Sequence, residues 1–138
     1  MDYILDNLAI GNAREASQPA SSISALLCVA QEIEIPSTSL IYYKVPIIDM
    51  QPIPEQQLEE AVEWIHHHIQ NYKILVFCSA GVGRSTSIVV GYLCTMLGFK
   101  FGTAVEFIAQ KRPYMSILPN LIVSIDRVKQ RRGDVDLA

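Results

Sequence analysis

Apolar positions along the chain fall into short continuous runs in the first half and into helical spacing later. Tyr3-Ile4-Leu5 and Leu8-Ala9-Ile10 flank Asp6-Asn7, which predicts a hairpin or tight turn. Ala25 to Ala30 is a continuous apolar run, as a strand covered on both faces requires. Ile41 to Ile48 is a second, rich in β-branched and aromatic residues, and it ends in Asp49-Met50-Gln51-Pro52. Pro52 and Pro54 break the chain there, and Pro54 suits the first turn of a helix. Leu58, Val62, Ile65 and Ile69 then recur at helical spacing, predicting an amphipathic helix over 55–71. Ile74 to Phe77 predicts another buried strand.

From Ser85 to Leu97 the apolar residues Ile88, Val89, Val90, Tyr92, Leu93, Met96 and Leu97 cover most of a helix circumference. Such a helix is central and buried, and Gly98 is placed to end it. Thr103 and Glu106 form a capping-box pattern for a helix to about Lys111, which Pro113 stops. A last amphipathic helix, starting near Pro119, carries Leu121, Ile125 and Val128. Strands first and helices later predict an α/β domain with a central sheet covered by helices.

Composition narrows the class. The 138 residues, 50% hydrophobic and 18% charged, fit one globular domain over 1–138. Apolar stretches fall well short of a membrane span and no basic-then-apolar leader opens the chain, so no membrane partner is expected. A net charge of −3 gives no general attraction to nucleic acid. Three cysteines, Cys28, Cys78 and Cys94, without a leader read as a reduced, cytoplasmic protein. Nothing in the pattern signals an oligomeric state.

The chemistry concentrates in Cys78-Ser79-Ala80-Gly81-Val82-Gly83-Arg84-Ser85. A thiol closes a buried strand and an arginine opens a buried helix, which puts the loop at a helix N-terminus, where free N–H groups and the dipole favour an anion. The same field favours thiolate over thiol at Cys78. Phosphoryl transfer needs an in-line nucleophile, donors around three equatorial oxygens, and a proton for the leaving oxygen. Cys78 supplies the first. Backbone N–H groups from Ser79, Ala80, Gly81, Val82, Gly83 and Arg84 supply the second, with the two glycines easing the curl. Arg84 adds a planar fork for two oxygens, and Ser85 is expected to hydrogen-bond Cys78 and stabilise the thiolate when it leaves. No Gly-Lys-Ser/Thr is present, so this is not a nucleotide-binding P-loop.

Cys78 to Ser85 resembles the Cys-x5-Arg-Ser/Thr signature of the cysteine-dependent protein tyrosine phosphatase superfamily. The chain is too short for a tyrosine-specific member. It resembles the small dual-specificity branch throughout, from Leu8-Ala9-Ile10-Gly11 through Tyr92-Leu93 and Pro119-Asn120 to the helix ending near Arg131. The resemblance implies a mixed, mostly parallel sheet of about five strands with helices on both sides, and hydrolysis through a cysteinyl-phosphate. No metal or cofactor is required. Of other anion-loop enzymes, a sulfurtransferase or arsenate reductase is disfavoured by an Asp preceding the Cys and by the extent of the resemblance.

In this family the general acid is an Asp after a strand, followed by a proline-containing loop and a helix, some thirty residues before the Cys. Pro46-Ile47-Ile48-Asp49-Met50-Gln51-Pro52 matches, and Asp49 precedes Cys78 by 29 positions. Asp49 is therefore expected to protonate the leaving oxygen and then to activate water; the alternative is a turn or N-cap aspartate. Glu55, Glu59 and Glu60 are weaker candidates, being on the following helix. The chain departs from the family at Phe77, where most members have His, which implies a less strongly activated nucleophile. An adaptor that binds phosphoproteins with little turnover is the second reading.

Ser79, Ala80 and Val82 are uncharged, which points to a singly phosphorylated ester, on phosphotyrosine or phosphoserine/threonine of a protein or on another phosphomonoester. Lys111 and Arg112 either edge the cleft or, the preferred reading, are solvated surface. His66-His67-His68 project about 100° apart on a helix, so they form a polar face and no metal site. Cys94 belongs to the core. Leu27-Cys28-Val29-Ala30 resembles a strand that presents a second thiol to the catalytic one in some superfamily members, which raises a Cys28–Cys78 disulfide against the preferred reading of a buried strand cysteine.

Overall fold

The computed structural model describes residues 1–35 and 37–133. Five strands, β1 (Asp2–Leu5), β2 (Leu8–Asn12), β3 (Ala25–Cys28), β4 (Ile41–Lys44) and β5 (Ile74–Cys78), form one sheet in the order β1-β2-β5-β3-β4. Only β1 and β2 are antiparallel, joined by the Asp6-Asn7 turn; β2–β5, β5–β3 and β3–β4 are parallel. The central strands β3 and β5 are buried at every position, as their continuous apolar runs require. The expected mixed, mostly parallel five-strand sheet is present.

The helices are α1 (Ala13–Ser17), α2 (Glu55–His68), α3 (Arg84–Met96), α4 (Phe101–Lys111) and α5 (Leu121–Arg131). α3 is the hub: it is buried from Arg84 to Thr95 and touches α2, α4, α5, β5 and β2. Gly91 lets α2 come close, because a Cβ there would lie 2.8 Å from Leu58 Cδ1. α1 lies on the other face of the sheet. A Cβ at Gly11 would meet Glu15 of α1 and Leu75, and Leu75 has the opposite strand parity to Cys78, which faces α3. Helices therefore cover both faces. Among the described residues no helix is long and apolar enough to cross a membrane.

Local departures have physical reasons. The 41–48 run pairs only as far as Lys44, because Pro46 has no N–H for a ladder and residues 45–48 turn towards Asp49. α2 stops at His68 rather than 71, with the chain turning over 69–72. Gly98 sits at φ 75 just past α3, as expected of a helix terminator. The capping box at Thr103 does not form: α4 starts at Phe101, so Thr103 is already inside it, and its N-cap Lys100 makes no side-chain cap bond. A true capping box is found instead at Asn12 and Glu15, where it starts α1.

Candidate active site

β5 delivers Cys78 to the C-terminal edge of the sheet, and the chain curls through residues 79–83 into α3. The curl is held from outside through its carbonyls. Ser79 O accepts from Ala13 N–H at 3.2 Å, Val82 O from Ser116 N–H at 2.9 Å, and Gly83 O from Ser87 Oγ at 2.7 Å. Gly81 O accepts from Arg112 Nε–H at 2.9 Å. A trans peptide points the next residue's N–H opposite to each carbonyl. The N–H groups of Ala80, Val82, Gly83 and Arg84 are thereby turned to the concave side. Gly81 is required here twice over: its φ is 71, and a Cβ would lie 2.5 Å from Gly11 O and 2.7 Å from Arg112 Nη2.

Cys78 Sγ lies 3.2 Å from Ser85 Oγ. Arg84, only 3% exposed, accounts for three of its five N–H donors inside the protein: Nη1 and Nη2 donate to the two Glu32 oxygens at 2.7 and 2.6 Å, and Nη1 also donates to Ile47 O at 3.1 Å. Nε is buried with no partner. The Nε–H and the second Nη2–H share one edge of the guanidinium, so a ready-made fork for two oxygens is left over. Asp49 Oδ1 stands 3.8 Å from that Nε. The same oxygen accepts from Met50 N–H at 2.9 Å, with Met50 at φ 62. Hydrogen bonding to Arg84 holds the Glu32 carboxyl down at about 2 from its ordinary 4.5, and the pairing in turn raises the Arg84 guanidinium. Cys78, the loop, Asp49 and Met50 share a cleft of about 550 Å³ with Ser116, Ile117, Leu118 and Pro119.

Residues 9–131 match the sequence model of the dual specificity phosphatase catalytic domain. The chain belongs to the dual-specificity phosphatase family. It is 31% identical over 130 residues to mouse dual specificity protein phosphatase 22, covering 88% of this chain and 68% of that protein. With mouse dual specificity protein phosphatase 15 it shares 27% over 119 residues, covering 82% of this chain and 51% of the relative. The chain thus spans about half the length of some relatives that it matches. The structure of the human tyrosine phosphatase-like serine/threonine/tyrosine-interacting protein superposes with a TM-score of 0.81 at 22% identity, covering 100% of this chain and 98% of the other.

Of the residues expected to be catalytic in this dual-specificity phosphatase sequence, Cys78, Arg84 and Asp49 line one cleft, and Ser85 is buried against Cys78. Other candidates lie elsewhere. Glu55 pairs with Arg127 and Arg131, Glu59 with Arg131 and Arg132, and Glu60 with the Tyr43 hydroxyl, so none of these reaches the cleft. His67 and His68 bond backbone carbonyls of their own helix and His66 faces Tyr92. No cluster of metal-binding side chains exists among the described residues. Cys94 is core, and burial pushes its thiol up.

Cys28 is the buried strand cysteine of the preferred reading, and the alternative Cys28–Cys78 disulfide does not fit the register. Cys28 is in register with Phe77, so its side chain and that of Cys78 leave neighbouring strands on opposite faces of the sheet. Cys28 Sγ instead approaches the carbonyls of Ala30 and Ile33. The same alternation places Phe77, fully buried, on the face away from Cys78, so residue 77 acts on the thiol only through the backbone.

The preferred reading of Arg112 as solvated surface is corrected. Arg112 is 2% exposed, not surface, and besides Gly81 O it binds Asp2 at 2.5 Å and stacks 4.8 Å over the Tyr114 ring. It pins the signature loop to β1. Arg112→Met keeps the apolar stem but strands the Gly81 carbonyl and Asp2, whose side chain is a third exposed. We expect a loss of about 2–3 kcal/mol, read as a Tm drop of roughly 5–10 °C in thermal unfolding. Unaltered melting would show that the loop stands without it.

Proposed function

We propose that this domain hydrolyses phosphate monoesters on phosphotyrosine or phosphoserine/threonine residues through a cysteinyl-phosphate intermediate. The observation that carries it is the left-over fork of Arg84, in the same cleft as Cys78, the inward N–H groups and Asp49. The inward amides and the fork take the three equatorial oxygens and leave the ester bond in line with Cys78 Sγ. The thiolate forms the S–P bond as the P–O bond breaks, and Asp49 gives its proton to the departing alkoxide or phenoxide. Asp49, now a carboxylate, takes a proton from water, whose oxygen attacks phosphorus. The S–P bond breaks, inorganic phosphate leaves, and Ser85 Oγ is in place to hydrogen-bond the returning thiolate.

Among the described residues that line the cleft Arg84 is the one cation, which supports a substrate with one phosphate at this site. Three free thiols suit a reducing, cytoplasmic compartment. The direct test is hydrolysis of para-nitrophenyl phosphate from mild acid to neutral pH. Release of para-nitrophenolate, inhibited by orthovanadate, is the expected result. Phosphate binding without turnover anywhere in that range would replace the enzyme with the phosphoprotein-binding adaptor, in which Phe77 leaves the nucleophile under-activated.

A further inference from the structure

The loop that follows β3 contains a carboxylate held for one purpose. Glu32 is 52 positions from Arg84 in the chain, yet both its oxygens meet the guanidinium end-on. Its own side chain is 54% exposed, so burial does not fix it. The backbone around it does. Lys44, at the end of β4, donates from Nζ to the carbonyls on either side of Glu32, Gln31 O at 2.9 Å and Ile33 O at 2.8 Å. Gln31 N–H donates to Ile47 O, the same carbonyl that accepts from Arg84 Nη1. One carbonyl thus ties the Glu32 loop, the arginine and the segment leading to Asp49 together.

We propose that Glu32, aimed by Lys44, is the positioning residue of Arg84: it takes the end of the guanidinium so that the Nε–H/Nη2–H edge faces the phosphate. The inference rests on the reading of the 78–84 loop as the phosphate site. Without Glu32 the guanidinium keeps one anchor, Ile47 O, and rotates about its terminal torsions. A bidentate contact then has to be organised anew with each bound phosphate, at an entropic cost. The pairing holds the Glu32 carboxyl at about 2, so it is a carboxylate from mild acid to neutral pH.

The geometry and the bare charge make opposite demands, which is what makes the idea testable. A carboxylate acting only through its negative charge repels phosphate, so removing it tightens binding. A positioning carboxylate does the reverse. Binding of inorganic phosphate is measured by calorimetry, and turnover of para-nitrophenyl phosphate alongside, for wild type, Glu32→Gln, Glu32→Ala and Lys44→Met. Phosphate affinity is expected to fall by roughly tenfold in Glu32→Gln, which keeps one acceptor, and further in Glu32→Ala. Lys44→Met is expected to follow in the same direction with a smaller loss. The fall in kcat/KM should exceed the fall in affinity, with melting temperatures within a few degrees of wild type. Equal or tighter phosphate binding in the Glu32 variants overturns the proposal, as does a loss that tracks lowered stability; wild-type affinity in Lys44→Met removes Lys44 from it. Should the wild type bind phosphate without turnover, the hydrolase reading fails, and the isotherms still decide the role of Glu32.

Discussion

Cys78→Ser is expected to abolish hydrolysis of any phosphomonoester while leaving inorganic phosphate bound about as well as in the wild type. The argument starts from the division of labour in the loop. In the proposed mechanism the phosphate is held by Arg84 and by loop N–H groups, the loop itself being fixed through its carbonyls by Ala13, Arg112, Ser116 and Ser87. None of these contacts involves Sγ. Serine is slightly smaller than cysteine and fits a site that is 3% exposed and 3.2 Å from Ser85 Oγ, so the fold has no reason to change. What disappears is the nucleophile: a serine hydroxyl attacks phosphorus far less readily than the sulfur it replaces. A loss on the order of 10⁵-fold or more in kcat is expected. Burst and steady-state assays with para-nitrophenyl phosphate, set beside phosphate calorimetry, measure both halves. A residual rate within tenfold of wild type would remove the cysteinyl-phosphate from the mechanism.

The parts of the site that were legible in sequence are those built locally. Strand, Cys78, five-residue loop, Arg84 and buried α3 are contiguous, so their order alone predicted the nest. Asp49 was legible through the resemblance, which expects an Asp between a strand and a proline-containing loop some thirty residues before the Cys. Glu32 and Arg112 were not, for a common reason. Each acts across the sheet on a partner far away in the chain, 52 positions for Glu32–Arg84 and 31 for Arg112–Gly81. Neither sits in a local pattern that names its partner. Arg112 was read as surface because it follows Lys111 at a helix end, and only the tertiary meeting of α4 with β1 buries it. Ser116 was likewise invisible, since it contributes a backbone N–H and any residue but proline has one. α1 carried a visible signal, Asn12-x-x-Glu15, but a helix of five residues has too few turns to show an apolar period. The disulfide that the resemblance raised as the less favoured reading fails on parity, since the register puts the two thiols on opposite faces.

Asp49→Asn separates the acid from its neighbours more sharply than loss of activity alone. Asparagine keeps the oxygen that accepts from Met50 N–H at 2.9 Å, so the turn with Met50 at φ 62 is retained. Only the transferable proton is lost. Its value depends on the group that leaves. A poor leaving group such as the tyrosyl or seryl oxygen needs a proton as the P–O bond breaks, and there the loss of kcat should reach about 10²–10⁴-fold. Aryl phosphates with acidic phenols leave unaided, so the deficit should shrink steadily as the leaving phenol becomes more acidic. A series of substituted phenyl phosphates measures this slope for both proteins. The wild type should be nearly insensitive to the phenol and Asp49→Asn strongly sensitive. A uniform loss across the series would mean that Asp49, 3.8 Å from Arg84 Nε, serves the cleft through its charge and not through its proton, and that the acid is another group. Among the described residues that line the cleft Asp49 is the one carboxylate, since Glu55, Glu59 and Glu60 are committed elsewhere and Glu32 pairs with Arg84, so the series tests the proposed acid directly.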